Sequence, residues 1–320
     1  MASILKQGYF HNEQEAFTAL EGLLWDNGKP SRCPHCGGTE KLSRLPVQRS
    51  KASKKNPEGK PVYGLWKCYD CRGQFTVRKG TIFEESRLEL HLWFQAAYLL
   101  CSSKKGCSAN QLSRTLGVTV KTAWFLAHRI REAMREGELA VPFGTGGGSV
   151  QSDETYIGRW RRKGDKERGG QHKMKVLTLI DNATGKARSR VMTEINTDSV
   201  QAVLRRNLSE EAHLHTDEAR HYKFAGYYFG KHEAVNHSKE EYVRGDVTVN
   251  SCEGYFSIFK RGMKGVYQHC QEKHLHRYLA EFDFRYNHRI AKGMDDVTRS
   301  YAALKGAEGK RLTYRSASHH

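Results

Sequence analysis

The chain has 320 residues, room for two or three domains, and 53 Lys and Arg against 35 Asp and Glu give it a formal charge of +18. An excess of that size points to a polyanionic partner, nucleic acid first. A mean hydropathy of −0.72, with no long apolar run and no signal-type hydrophobic stretch, argues against a membrane.

Residues 12–25 carry Ala16, Phe17, Leu20, Leu23 and Leu24 at helical spacing. Two CxxC pairs follow, separated by a polar stretch that reads as an exposed hairpin loop. Residues 88–101 form an apolar helical pattern, and "CSANQLSRTLG" and "VTVKTAWFLAHRIREAM" read as two helices around Gly117. "GTGGGS" at 144–149 reads as a linker. Beyond it the pattern changes to strands. "SVQSDETYIG" is the first, followed by the basic loop 159–173. "KVLTLID" and "ARSRVMTEI" flank the turn "NATGK" as a hairpin. Residues 197–207 are helical with Thr197 as cap, "AHLHTDE" is a short strand ending on Asp217, and "HEAVNHSKEEYV" holds another strand. Residues 251–261 and 272–289 are helical.

Eight cysteines in a chain read as intracellular argue against a disulfide framework. Cys33, Cys36, Cys68 and Cys71 are two knuckles that aim four thiolates at one ion, a closed tetrahedral zinc site. One structural Zn²⁺ per chain is expected, with His35 an exposed bystander. The competing reading, two reactive dithiols, lacks a surrounding thioredoxin-like βαβ pattern. Cys101, Cys107, Cys252 and Cys270 read as small buried apolar residues.

Leu112, Leu116, Val118, Val120, Ala123, Trp124, Ala127 and Ile130 would pack a small core around Gly117, with Thr119 capping the second helix. This is a helix-turn-helix pattern, and a plain helical hairpin is its competitor. The second helix would present Lys121, Thr122, Phe125, His128 and Arg129 outward, its first residues toward base edges and Arg129 toward phosphate.

Asp153 stands on a strand, Asp217 at the end of a later strand, and Glu253 at the start of a later helix. That order is what an RNase H-like sheet requires to gather three carboxylates. Gathered acids repel unless cations neutralise them, and two Mg²⁺ or Mn²⁺ ions would do so at a phosphodiester. Lys260 lies seven residues after Glu253, on the same helical face, where it can grip a phosphate. Singly, each acid reads more often as a surface residue, and it is the order of strand and helix that makes them a set. His215, Glu218, His221 and His237 fall nearby in sequence, as substrate contacts or as ordinary hydrogen-bonding residues. Asn182 and Asn196 read as turn and cap residues.

"CPHCGG", "WKCYDCRGQFTVRKGTIFE", "KTAWFLAHRIREAM", "DETYIG", "HTDE", "VNSCEGYFSIFKRGMKGVYQH" and "HLHRYLAEFDFRYNHR", in this order from about Gly22 to Arg289, resemble the zinc-ribbon DDE transposases of bacterial insertion sequences, the IS-fifteen-ninety-five group. The resemblance implies a mixed α/β, RNase H-like catalytic domain that cuts at terminal inverted repeats and joins the freed 3′ ends to target DNA. Position by position, it implies Asp153, Asp217 and Glu253 as metal carboxylates with Lys260 as their basic companion. Some members of the group carry Asn at the third position, which brings in Asn250. A carboxylate holds Mg²⁺ better than an amide, and the spacing to Lys260 favours Glu253. The resemblance also implies double-stranded DNA as partner, at element ends and target, and a homodimer or larger assembly.

The expected organisation is a helix and zinc ribbon over 1–80, a helix-turn-helix-like region over 81–140, a linker at 141–149, the catalytic domain at 150–304 and a polar tail at 305–320. The expected place of work is the cytoplasm, at the nucleoid. Arg159, Arg161 and Arg162, beside Lys163, would meet phosphates. Two other readings are a zinc and helix-turn-helix regulator without catalysis, and a non-specific metal-dependent nuclease.

Overall fold

The computed structural model describes residues 4–54, 56–158 and 173–313. The chain divides into two compact units, Met1–Met134 with Met294–His320, and Arg135–Gly293.

In the first unit, helix α1 (Glu13–Leu24) starts at Asn12, whose side chain accepts from Glu15 N, and buries Ala16, Phe17, Leu20 and Glu21 on one face. The ribbon strands β1 (Leu42–Arg44), β4 (Trp66–Cys68) and β5 (Gln74–Phe75) form a three-stranded antiparallel sheet. Between β1 and β4 runs the small hairpin of β2 (Gln48–Arg49) and β3 (Pro61–Val62), as the polar spacing led us to expect. Trp66, Phe75, Cys33 and Cys68 are the ribbon's core, with Trp25 and Leu42 against it. Buried Glu21 joins α1 to the ribbon, accepting from Trp66 Nε1 at 3.1 Å and pairing with Arg44 at 3.0 Å.

Helices α2 (Leu90–Ser102), α3 (Ala109–Leu116) and α4 (Val120–Met134) follow. No side chain of its own caps α2. The Glu13 carboxylate instead accepts from the backbone N–H of Leu90 and His91, at 2.8 and 3.1 Å, and pairs with Arg78 at 3.0 Å. Gly117 is left-handed at φ 66°, which ends α3, and Thr119 Oγ1 caps α4 by accepting from Thr122 N. Leu112, Leu116, Ala123, Ala127 and Ile130 are buried as the pattern required, but Val120 is exposed.

The C-terminal helix Asp296–Lys305 belongs to this first unit, so the second unit ends at Gly293 and not at 304. The reason is an apolar stripe. Ala303, Leu304 and Ala307 are buried, and Arg299 Nη1 donates to Cys101 O at 2.8 Å. The expected tail is likewise anchored in part, with Lys310 Nζ donating to Ala133 O at 2.9 Å. Of the four remaining cysteines, Cys101, Cys107 and Cys252 are buried as expected and Cys270 is half-buried.

The second unit is built on a five-stranded mixed sheet of β6 (Ser149–Ile157), β7 (Met174–Asp181), β8 (Lys186–Met192), β9 (His213–Thr216) and β10 (Lys231–Ala234), in the order β10-β9-β6-β7-β8. β6, β7 and β8 are antiparallel; β9 runs parallel to β6, and β10 parallel to β9. This is the RNase H-like arrangement. One face is covered by helix α5 (Thr197–Asn207) and by Tyr222, Ala225 and Phe229. Asn196 caps α5 in a reciprocal box with Ser199, so the cap is Asn196 and Thr197 is already helical. A short hairpin of β11 (Val243–Arg244) and β12 (Val247–Thr248) leads into helix α6 (Asn250–Gly262), which with α7 (Glu272–Asn287) covers the other face.

The glycine run at 144–149 is not a linker between the units, whose boundary falls at Met134. Gly144 N donates to Asp181 Oδ1 at 3.2 Å and Gly146 N to Glu211 Oε2 at 2.9 Å, which ties the turn into the second unit. Gly144 is left-handed at φ 73°, and a Cβ there would lie 2.4 Å from the Ala212 methyl. Gly144→Ala should therefore cost at least about 1 kcal/mol, read as a lower urea midpoint with the slope unchanged. A flexible linker would accept alanine without loss.

Candidate active site and metal centre

The two knuckles converge. Cys33 Sγ lies 3.7 Å from Cys71 Sγ, and Cys36 Sγ 3.7 Å from Cys68 Sγ. A tetrahedron with Zn–S bonds of about 2.3 Å has an edge of about 3.8 Å, so the four sulfurs stand where one zinc ion needs them. All four ligand atoms lie within 4.8 Å of one another. Backbone N–H donors at the first knuckle pull the Cys33 thiol down to about 7 against its burial, which eases its conversion to thiolate. His35 points to the ribbon backbone, its Nε2 3.3 Å from Gln74 O, and is not among these ligands.

In the second unit, the β6–β9 ladder pairs Ser149 with His213, Val150 with Leu214 and Gln151 with His215. Asp153 and Asp217 each lie two residues past the last pair, Asp153 within β6 and Asp217 just beyond the end of β9. The third acid arrives from α6, and Gln151 fixes its approach. Buried Gln151 accepts from Ser251 N at 2.9 Å, and its amide donates to Ser251 Oγ at 3.2 Å and Asn182 Oδ1 at 2.8 Å. The first turn of α6, with Glu253 in it, is thereby held to the strand that carries Asp153.

Burial raises the Asp153 carboxyl to about 8, and the fields of Glu154, Asp217 and Glu253 push the same way. The Glu154 N–H, 2.7 Å from Asp153 Oδ1, offsets part of this. Burial and the Glu154 charge raise Asp217 too, while its Oδ1 accepts from Ala219 N at 3.0 Å. Glu253 is half exposed, with His237 Nδ1 3.9 Å from its Oε1. The three acids thus act on Asp153 together, but they do not converge as tightly as the cysteines. Among the described residues, the groups of three or more ligand atoms within 4.8 Å are the four cysteines and a second set, His213, His215 and Asp246.

Asn250 and Glu253 share the first turn of α6 three residues apart, so both face the same side. Lys260 follows two turns on, half-buried. The other neighbours named from sequence are engaged locally. His221 Nε2 lies 3.1 Å from Glu154 Oε2, and Tyr222 OH donates to the same oxygen at 3.2 Å. Glu218 accepts from Ser238 Oγ, His237 N and Ser238 N, which hold its carboxyl down near about 2, and it braces that turn. Gln151 and Glu154 were not singled out as positioning residues in the sequence reading. The available signal was strand periodicity, which puts Gln151 on the same face as Asp153.

In the first unit, Lys121 and Thr122 are exposed on the first turn of α4. Arg129 and His128 are not outward, as had been expected. Arg129 is buried, donates from Nη2 to Glu84 O at 2.6 Å and lies over the Trp93 and Phe125 rings. Only the start of α4 projects; its second half is core. Arg159, Arg161 and Arg162 lie outside the described residues. No helix among those residues is long and apolar enough to cross a membrane.

A four-cysteine ribbon joined in one chain to an RNase H-like sheet with clustered acids defines a class, the zinc-ribbon transposases. Residues 146–287 match the ISXO2-like transposase domain, and residues 11–74 match the transposase zinc-ribbon domain. A protein of the transposable element ISH50 from Halobacterium salinarum is 28% identical over 298 residues, covering 86% of this chain and 91% of that protein. A solved simian T-cell lymphotropic virus intasome, in complex with a PP2A regulatory subunit, aligns over 58% of this chain and 64% of its own at 11% identity, with a TM-score of 0.28, too low to carry an argument. The chain thus carries a transposase zinc-ribbon domain followed by an ISXO2-like transposase domain.

Without metal, the acids set a pH dependence. Asp153 binds its proton more tightly in the folded chain, near about 8, than at its ordinary value of 3.8, so wild-type stability falls as pH rises through that window. Asp153→Asn removes the ionisation. Its melting temperature in chelator should exceed wild type by a margin that grows from pH 4 to about pH 8 and then levels off. Added Mg²⁺ should narrow the gap. A variant less stable than wild type at pH 8 would mean that the native fold stabilises this carboxylate.

Proposed function

We propose that the chain binds the terminal inverted repeats of an insertion sequence and performs metal-dependent strand cleavage followed by strand transfer. The observation that carries this reading is the position of Asp153 and Asp217 just past the end of the ladder between β6 and β9, with Glu253 brought over them by the Gln151–Ser251 bonds. The two transposase-domain matches support it.

Asp153, Asp217 and Glu253 would hold two divalent cations. When bound, such ions neutralise charge and favour in-line displacement at phosphorus. The residues of this chain do the rest. The carboxylates would hold those cations where the phosphodiester is to react, and Gln151 keeps the helix-borne acid in place. Lys260 sets its ammonium against a phosphate oxygen. In the first step water attacks the phosphodiester at the element end, and the bond to the 3′ oxygen breaks, leaving a 3′-OH. In the second, that 3′-OH attacks a target phosphodiester, forming one P–O bond as another breaks. Neither step needs an oxidant or reductant. Lys121 and Thr122 at the tip of α4 would read DNA, and Arg159, Arg161 and Arg162 would contact phosphates. Two ends joined in concert call for a homodimer or larger assembly on DNA.

Asp153→Asn, Asp217→Asn and Glu253→Gln should each lower cleavage and joining of labelled element ends by about a thousandfold or more, equivalent to about 4 kcal/mol of barrier. Binding to the ends should persist. If Asn250→Ala is inactive while Glu253→Gln works, the third ligand is the amide. Strand joining by all three acid variants would refute the catalytic assignment. Cleavage without joining would identify a nuclease, and neither step in the wild type a regulator.

DNA affinity should fall steeply with salt, with a log–log slope of roughly −0.9 per phosphate neutralised. Replacing Arg159, Arg161 and Arg162 with alanine should flatten it. An unchanged slope would take that loop out of the interface.

A further inference from the structure

A second cluster of metal-type side chains lies on β9 and the β11–β12 turn, sharing no ligand with the acids or the ribbon. His213 and His215 alternate along β9 and so point to one face. Asp246 sits in the two-residue turn between β11 and β12, after left-handed Gly245 at φ 64°. One ligand atom from each of the three falls within 4.8 Å of the others. We propose that His213, His215 and Asp246 form a second zinc site, which staples the β11–β12 hairpin to the sheet.

The geometry fits the ion. His213 Nδ1 and His215 Nε2 are 3.3 Å apart, with ring centroids at 4.3 Å and planes at 81°. A tetrahedron with Zn–N bonds of about 2.0–2.1 Å has an edge of about 3.3–3.4 Å. The tautomer fits as well. His213 Nε2 lies 2.8 Å from the Glu233 carboxylate, which requires the proton on Nε2 and leaves the Nδ1 lone pair directed at His215. A carboxylate behind a metal-binding imidazole is the usual support for such a ligand. Lys231 and Arg244, 2.5 and 3.8 Å from Glu233, keep that carboxylate ionised in its supporting place. Asp246 is exposed, so the fourth position opens to water.

The fold gives the ion a task. The β11–β12 ladder is only two residues long on each side, Val243 with Thr248 and Arg244 with Val247. Its apolar support is a satellite of three valines, Val235, Val247 and Val249. So short a hairpin is marginal by itself. It also ends two residues before α6 begins, so a metal across its turn would fix the entry to the helix that carries Glu253.

The test is metal stoichiometry on the full-length chain, dialysed against Zn²⁺ with millimolar Mg²⁺ present to occupy the acids. Wild type should retain two zinc ions per chain. His213→Ala and Asp246→Asn should each retain one, and Cys33→Ser should also retain one. Asp246 is exposed, so its amide variant keeps the fold whatever the fate of the histidine variant. With Co²⁺ in place of zinc, Cys33→Ser protein should show ligand-field bands lacking sulfur charge transfer, and adding Asp246→Asn should abolish them. One zinc in wild type, or a second zinc that survives both Asp246→Asn and His213→Ala, would overturn the proposal.

Discussion

Like charges on adjoining strands set the terms for the second unit. β6 stays paired with β7 along its whole length, but its ladder with β9 stops after Gln151 and His215, two residues before the acids. Beyond that point β6 pairs with β7 alone, so Asp153 and Asp217 stand where the two strands part. Repulsion, with burial, gives Asp153 its high proton affinity. The formal charge of +18 then has a plain role, since a basic chain can bring a polyanion to an acidic pocket that would otherwise reject it.

Local signals were legible wherever a few neighbouring residues decide the outcome. The two CxxC pairs converge to zinc-like spacing, the hairpin of β7 and β8 forms around "NATGK", and Gly117 and Thr119 end one helix and start the next. The strand and helix order put Asp153 in a strand, Asp217 at a strand's end and Glu253 near the start of a helix, and the structure has them within β6, one residue past β9 and in the first turn of α6.

What the sequence hid depends on distant partners. Arg129 is charged and on a helix, which reads as surface, yet the carbonyl of Glu84 and two aromatic rings take it into the core. The glycine run has a linker's composition, but it is a turn whose positive φ values and close approach to Ala212 demand glycine. Gln151 gave no sign of its tie to Ser251, one hundred residues away. His213 and His215 needed the β11–β12 turn beside them before they could be read as ligands.

The return of the C-terminal helix to the first unit carries a consequence in time. The second unit is inserted into the first between residues 134 and 294. On a ribosome, α2 therefore waits with its apolar face uncovered until Arg299, Ala303 and Leu304 have emerged. By then the whole second unit has left the tunnel and is free to fold. Synthesis that halts before residue 296 leaves the second unit joined to a first unit that lacks its last packing helix.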